Sequence, residues 1–365
     1  MKLIFKQSAI HEAILNACNV VPQKSVMPII KNIKLEAKNK EVRIYATDSE
    51  IELTIVINEN IEVVEEGVVL IDGNKFKSIL QEIGEGDYEL TEEGNSLILN
   101  GLGCEFSINT VNSDEFPIFE SFEDEPDFEM PGITLKGMFE KTVFATRDEP
   151  SRFQMNGVLL SGKEDQINIV ATDTTRLALV NKKIDKPINI DEIDCILSTK
   201  FVHTLIKSIK DIPVQIKTEI NRIKVKSDNV TISSKLVSGI FPNYKKAIPE
   251  CDIEIKINRN EFLSALRKAT IFTSEITKSI KFSFQNNILL LHSSMPESGE
   301  AHISLEIAYE DEPIEMNFNP NYVQEGLKVM TTDDVVINLK NKKRPAVFKG
   351  NEDYTYLVMP VLSRE

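Results

Sequence analysis

Residues 167–180 read INIVATDTTRLALV. Ile167, Ile169 and Ala171 alternate with residues of the opposite face, Thr172 to Thr175 are four turn-competent polar residues, and Leu177 and Leu179 resume the period of two. The stretch predicts a β-hairpin with a polar bend. Residues 44–57, IYATDSEIELTIVI, repeat the plan with the same Ala-Thr-Asp at the bend. Asp48 and Asp173 stand 125 positions apart, about a third of the 365-residue chain. A fixed internal period is the mark of a repeated architecture, and this one predicts a triplication.

The rest of the chain can be laid out in three passes. Each opens with an alternating strand and an amphipathic helix: KLIFKQSAIHEAILNACNVV from Lys2, ITLKGMFEKTVFATR from Ile133 and IEIKINRNEFLSALRKATIFT from Ile253. Hairpin strands follow, and in the third pass the turn within LHSSMPESGEAHISLEI has lost its Asp. A strand then leads into a second helix: VVLIDGNKFKSILQEI from Val68, CILSTKFVHTLIKSIK from Cys195 and IEMNFNPNYVQEGLKVM from Ile314. The joins fall at the acidic, aperiodic stretch 116–130 and at 242–252. The expected fold is α+β, with three similar domains at residues 1–122, 128–249 and 252–365. In each, two helices cover one face of an antiparallel sheet, because their apolar stripes need burial.

The net charge is −15, with 41% apolar and 27% charged residues. Taken as a total, that argues against a simple basic nucleic-acid binder. The distribution says otherwise. Lys200, Lys207 and Lys210 share a predicted helix, with His203, that contains no acid, and Lys136, Lys141 and Arg147 sit on its counterpart in the same repeat. If the helices share one side of the assembly, that side is positive and the other strongly negative. Lys and Arg are also ordinary helix formers on solvated faces, so charge alone leaves both readings open.

No apolar run approaches a membrane span, and the start MKLIF is broken by Gln7, Ser8, His11 and Glu12, so it reads as a mature cytoplasmic start with no signal peptide. Cys18, Cys104, Cys195 and Cys251 lie far apart, implying neither a disulfide framework nor a zinc site. His11, His203, His292 and His302 have no partner at i, i+4, so no metal is expected. Phosphate-binding glycine loops and nucleophile elbows are missing, and Asp48 and Asp173 lie in turns where Asp bonds nearby backbone. No catalytic residues and no cofactor are expected.

Four ordered motifs now carry a resemblance. Arg152-Phe-Gln-Met-Asn-Gly157, Ala171-Thr-Asp-Thr-Thr-Arg-Leu-Ala178, Phe241-Pro-Asn-Tyr244 and Tyr356-Leu-Val-Met-Pro360 are similar, in this order, to motifs of the bacterial DNA polymerase III beta subunit family, the sliding clamps. The resemblance runs the full length. It implies a non-enzymatic processivity factor: a head-to-tail homodimer of six domains, closed as a ring on double-stranded DNA that its twelve helices line. A positive lumen would attract phosphates without reading bases. The departures are Thr174-Thr175 where the family commonly has Gly-His, a tail extended by Leu362-Ser-Arg-Glu365, and Gly103 and Glu105 where some clamps carry Arg near Phe106.

Residue by residue, the resemblance implies DNA contacts from Lys24, Lys75, Lys136, Lys141, Arg147, Arg152, Lys200, Lys207, Lys210 and Lys246. A dimer interface is implied in which Phe106 and Ile108 meet Ile271 and Phe272 of the partner, with Lys75 near Glu297 or Glu300. The polymerase catalytic subunit and the clamp loader would insert short peptides of Gln-Leu-x-Leu-Phe type into a cleft. That cleft would comprise Met155, Thr172, Thr174, Arg176, Leu177, Pro242, Val358, Met359 and Pro360, with Asn319 and Tyr322 on its rim. Two alternatives stay open: a specialised clamp paralogue, for example one conferring inhibitor resistance, and a protein-binding scaffold without DNA.

Overall fold

The fold is a computed structural model that describes residues 1–147, 156–273, 278–350 and 353–361. The first repeat runs β1 (Lys2–Lys6), α1 (Gln7–Val20), β2 (Ile33–Lys38), β3 (Glu41–Thr47), β4 (Ile51–Ile57), β5 (Ile61–Glu65), β6 (Gly67–Ile71) and α2 (Gly73–Glu82). It closes with β7 (Asp87–Glu93), β8 (Ser96–Gly101) and β9 (Cys104–Val111). The second runs β10 (Phe128–Pro131), α3 (Gly132–Glu140), β11 (Gly157–Lys163), β12 (Gln166–Thr172), β13 (Arg176–Lys183), β14 (Ile193–Ser198) and α4 (Thr199–Ser208). Its closing strands are β15 (Pro213–Thr218), β16 (Arg222–Ser227) and β17 (Val230–Lys235). The third has β18 (Ile253–Asn258), α5 (Arg259–Thr270), β19 (Ile280–Gln285), β20 (Ile288–Met295), β21 (Gly299–Glu306), β22 (Ile314–Phe318) and α6 (Pro320–Lys328). It ends with β23 (Asp334–Leu339), β24 (Ala346–Lys349) and β25 (Tyr354–Val358). Strand, helix, hairpin, strand, helix and closing strands thus recur three times, as the sequence pattern predicts.

The hairpin bends show why the Ala-Thr-Asp signature recurs. In the first, Thr47 Oγ1 donates to Ile51 O (2.7 Å) and accepts from Ser49 N (3.0 Å), while Asp48 Oδ1 accepts from Glu50 N and Ile51 N. In the second, Thr172 Oγ1 donates to Arg176 O (2.7 Å) and accepts from Thr174 N (3.1 Å), and Asp173 Oδ1 accepts from Thr175 N and Arg176 N. The side chains replace backbone partners that a tight bend cannot supply. Ser49 and Thr174 both adopt the left-handed region, φ 81° and 80°.

Two predicted helices end earlier than expected. α3 stops at Glu140, where the Thr142 hydroxyl donates to the Met138 and Phe139 carbonyls and a short 3-10 turn, Val143–Ala145, follows. α4 stops at Ser208, so Lys210 lies beyond it, in the lead to Pro213.

By compactness the chain forms two units: 1–136 with 185–191 and 200–236, and 137–184 with 192–199 and 237–365. The first unit holds one antiparallel sheet, in the order β10-β15-β16-β17-β4-β3-β2-β6-β9-β8-β7-β1-β5. α1 and α2 pack together against it with Ile10, Ile14, Ala17, Phe76 and Leu80 buried. The second unit holds an eight-stranded sheet, β14-β11-β12-β13-β25-β24-β23-β18, and a four-stranded sheet, β21-β20-β19-β22. Phe262, Phe282 and Phe318 meet edge to face under α5. The strand order cuts across the repeats: β17 pairs with β4 and β13 pairs with β25.

Candidate functional site

A cleft of about 150 Å³ lies in the second unit beside the β13–β25 ladder. Its walls are Thr172, Thr174, Thr175 and Arg176 of the bend, Pro242, Asn243, Tyr244 and Ala247 of the loop, and Leu177, Pro345, Leu357 and Met359. Leu177 lies opposite Leu357 in the ladder, and Met359 N donates to Thr175 O at 2.7 Å, which fixes the mouth. The floor continues into a packed cluster of Leu159, Val170, Ile196 and Val347. Burial pushes the Tyr244 hydroxyl up, so at neutral pH the ring offers a neutral, largely apolar surface. Met359 is 41% exposed and stands at the entrance. An apolar floor with a flexible thioether at its rim suits the insertion of one apolar side chain from a partner peptide.

Of the cleft residues expected from sequence, Thr172, Thr174, Arg176, Leu177, Pro242 and Met359 line it. Met155 and Arg152 lie outside the described residues. Val358 is fully buried and Leu357 takes the wall, because successive strand residues face opposite sides. Pro360 lies off the wall, and Asn319 caps α6, its Oδ1 accepting from Asn321 N at 3.0 Å. Sequence reasoning missed Thr175, Asn243, Tyr244, Ala247, Pro345 and Leu357. Tyr244 stood inside the Phe241-Pro-Asn-Tyr244 motif, and the period of two in β25 was the available signal for Leu357.

Arg176 is a structural hub rather than an open donor. Its Nε donates to Asp173 Oδ2 (3.0 Å), its Nη1 pairs with Glu325 of α6 and its Nη2 donates to Phe144 O (2.7 Å). The guanidinium lies 4.4 Å from the Tyr322 ring centroid and 5.6 Å from that of Phe144. Tyr322 therefore shapes the site by seating Arg176.

The basic residues divide into two sets. Lys24, Lys75, Lys207 and Lys246 are exposed, and Lys136, Lys141 and Arg147 are half-buried. Lys200 pairs with Asp48, and Lys210 with Glu12 at 2.9 Å. Carboxylates of the first repeat therefore offset part of the positive charge on these two.

At the expected dimer edges, Ile271 is 69% exposed and Phe272 is half-buried against Gly299, whereas Ile108 is buried in its own repeat. Phe106 is half-buried, and Lys75, Glu297 and Glu300 are exposed. On β20 and β21, His292, Glu300 and His302 gather, each offering a ligand atom within 4.8 Å of the others. Spacing along the chain could not find them, because the histidines meet across a ladder rather than along a helix.

Known proteins resemble the chain over nearly its whole length. Models of the DNA polymerase III beta subunit match it in order: the N-terminal domain at residues 1–120, the central domain at 129–243 and the C-terminal domain at 245–362. It is 28% identical to the beta sliding clamp of Chlamydia muridarum, covering 99% of each, and 27% identical to that of Haemophilus influenzae, covering 94% of this chain and 95% of the relative. Among solved structures it is similar to the sliding clamp of Bacillus subtilis (TM-score 0.94, 24% identity) and the beta subunit of Thermotoga maritima (TM-score 0.93, 25% identity), each covering 100% of both chains. With three consecutive models of one family spanning nearly every residue, the chain belongs to the DNA polymerase III beta subunit family of sliding clamps, non-catalytic processivity factors.

Proposed function

We propose that two copies close head to tail into a ring on double-stranded DNA and tether the replicative polymerase and other DNA-processing proteins for processive synthesis. The observation that carries this reading is a repeated junction. The last strand of the second repeat, β17, extends the hairpin of the first, with Ile51 opposite Ser234 and Ile55 opposite Val230. The last strand of the third, β25, extends the hairpin of the second, with Arg176 opposite Val358 and Val180 opposite Tyr354. This leaves the third hairpin edge, β21, and the Cys104–Asn109 stretch of β9, which pairs with β8 on one side and meets β6 only beyond it, at Thr110 and Val111, as the pair without its counterpart. An open sheet edge is a template for another strand.

Aligning the repeats on their two-residue turns gives the register of this proposed contact. Gly299 lies opposite the partner's Ile108, Ala301 opposite the partner's Phe106, His302 opposite the partner's Glu105 and Ile303 opposite the partner's Cys104. Burial agrees with it: Ala301, Ile303 and Leu305 are half-buried between exposed neighbours on β21, and Cys104 and Phe106 are half-buried on β9. The apolar rows would merge into one inner face.

In this reading the three domains are 1–122, 128–249 and 252–365, and the ring works in the cytoplasm. DNA is held through Lys24, Lys75, Lys136, Lys141, Arg147, Lys207 and Lys246, with Lys200 and Lys210 contributing less. The cleft takes short peptides of the polymerase catalytic subunit and the clamp loader. Ile303→Cys tests the register. Oxidation is expected to join it to the partner's Cys104, since directly opposed strand residues sit within disulfide reach, and to give a covalent dimer on a denaturing gel. A particle of monomer mass at micromolar concentration overturns the ring, and a dimer that resists crosslinking overturns the register.

A further inference from the structure

The outer face of the third hairpin carries chemistry that neither DNA nor peptide binding uses. His292 on β20 and His302 on β21 are directly opposed, and their rings stack with centroids 4.4 Å apart at an interplanar angle of 15°. Glu300, two residues before His302 on the same face, reaches both: Oε2 is 3.4 Å from His292 Nε2, and Oε1 is 3.7 Å from His302 Nε2. Lys281, opposite His292 on β19, is drawn aside to Glu315 at 2.7 Å. Two imidazoles and a carboxylate form the donor set of an open zinc site, which keeps a fourth position for another ligand. Zinc bonds of 2.0–2.1 Å place tetrahedral ligand atoms roughly 3.4 Å apart, close to the two Glu–His separations already present. Only the ring-to-ring spacing has to adjust, by rotation of exposed side chains.

We infer that His292, Glu300 and His302 bind a divalent first-row cation, zinc in the first instance, and that ring closure supplies a fourth ligand from the partner subunit. The fourth ligand rests on the ring reading, which sets the partner's Glu105 opposite His302 on the same sheet face. The three-residue site does not depend on it. At the equivalent junction between the first two repeats, Glu52, the counterpart of Glu300, binds Arg222 at 2.5 Å and accepts from Ser233 at 3.1 Å. The third hairpin has histidines on this face, where a metal would take the place of that arginine. A cation shared by both edges would favour the closed ring, so its availability would tune opening.

The test uses the full-length protein with zinc chloride alone. Equilibrium dialysis is expected to give one zinc per protomer, lost in the double variant His292→Asn/His302→Asn. Sedimentation equilibrium is expected to show the dimer dissociation constant falling at least tenfold with zinc, an effect absent in that variant and reduced in Glu105→Gln. The double variant should still dimerise without zinc, which separates loss of metal from loss of fold. Zinc uptake no greater than in the double variant overturns the site. Uptake with a tightening that Glu105→Gln leaves unchanged overturns the shared ligand. A chain that is monomeric yet binds zinc overturns the ring reading while leaving the three-residue site standing.

Discussion

Lys200, on the acid-free helix α4, forms an ion pair with Asp48, the aspartate of the first Ala-Thr-Asp bend. Asp48 is nearly buried while Lys200 remains 47% exposed. The bend that shapes one hairpin therefore also holds a cation of the following repeat.

This pairing sets an order of effects on DNA. Lys207→Glu is expected to weaken retention on circular duplex, and each lost phosphate contact lowers the slope of log K against log salt by about 0.9. Lys200→Ala should cost less, because Asp48 already offsets part of its charge. Retention measured from 50 to 200 mM salt checks this, and equal losses would contradict the order.

The cleft predicts a separation between binding and folding. Met359→Ala is expected to weaken a Gln-Leu-x-Leu-Phe-type peptide by roughly tenfold, about 1.4 kcal/mol, without changing the melting temperature. Tyr244→Ala empties part of the floor and should cost about 3 kcal/mol of stability as well. Fluorescence anisotropy and calorimetry on both variants distinguish the two roles.

Gly326 gives a case in which propensity points the wrong way. Gly to Ala inside a helix ordinarily stabilises by up to about 1 kcal/mol. Here an added Cβ would sit 2.2 Å from the buried Tyr356 ring, whose hydroxyl donates to Tyr322 O at 2.8 Å. The clash dominates, and Gly326→Ala is expected to lower stability by about 1–3 kcal/mol. A raised melting temperature would refute it.

Alkali should loosen the first repeat through Cys18. Burial pushes its thiol up to about 11 from 9.0. The folded state thus holds the proton more tightly than the unfolded state, so this contribution is complete below pH 9 and is lost as pH rises through 11. Chemical denaturation at pH 8, 9, 10 and 11 should show a decline that Cys18→Ala flattens.

Hairpins, helices and the threefold plan were legible because periodicity and bend chemistry are local. Thr172 and Asp173 bond to backbone within four residues, so their role can be read from seven letters. What lies across the sheet could not be read this way. The resemblance names Val358 for the wall, and that Leu357 takes it instead depends on what covers each face of β25. Arg176 reads as an available donor until Glu325, 149 residues away, is placed against it. The stacked histidines, ten residues apart, meet only once β20 and β21 are in register.

The shared sheets carry a consequence for assembly of the chain itself. Ile55 pairs with Val230 and Val180 with Tyr354, so each early hairpin waits for a strand made some 175 residues later. Such contact order slows folding, because loop closure precedes the reward of pairing. It also locks the product: a protease nick in the acidic stretch around Glu123 would leave β4 and β17 paired, and the fragments would travel together until the sheet itself was denatured.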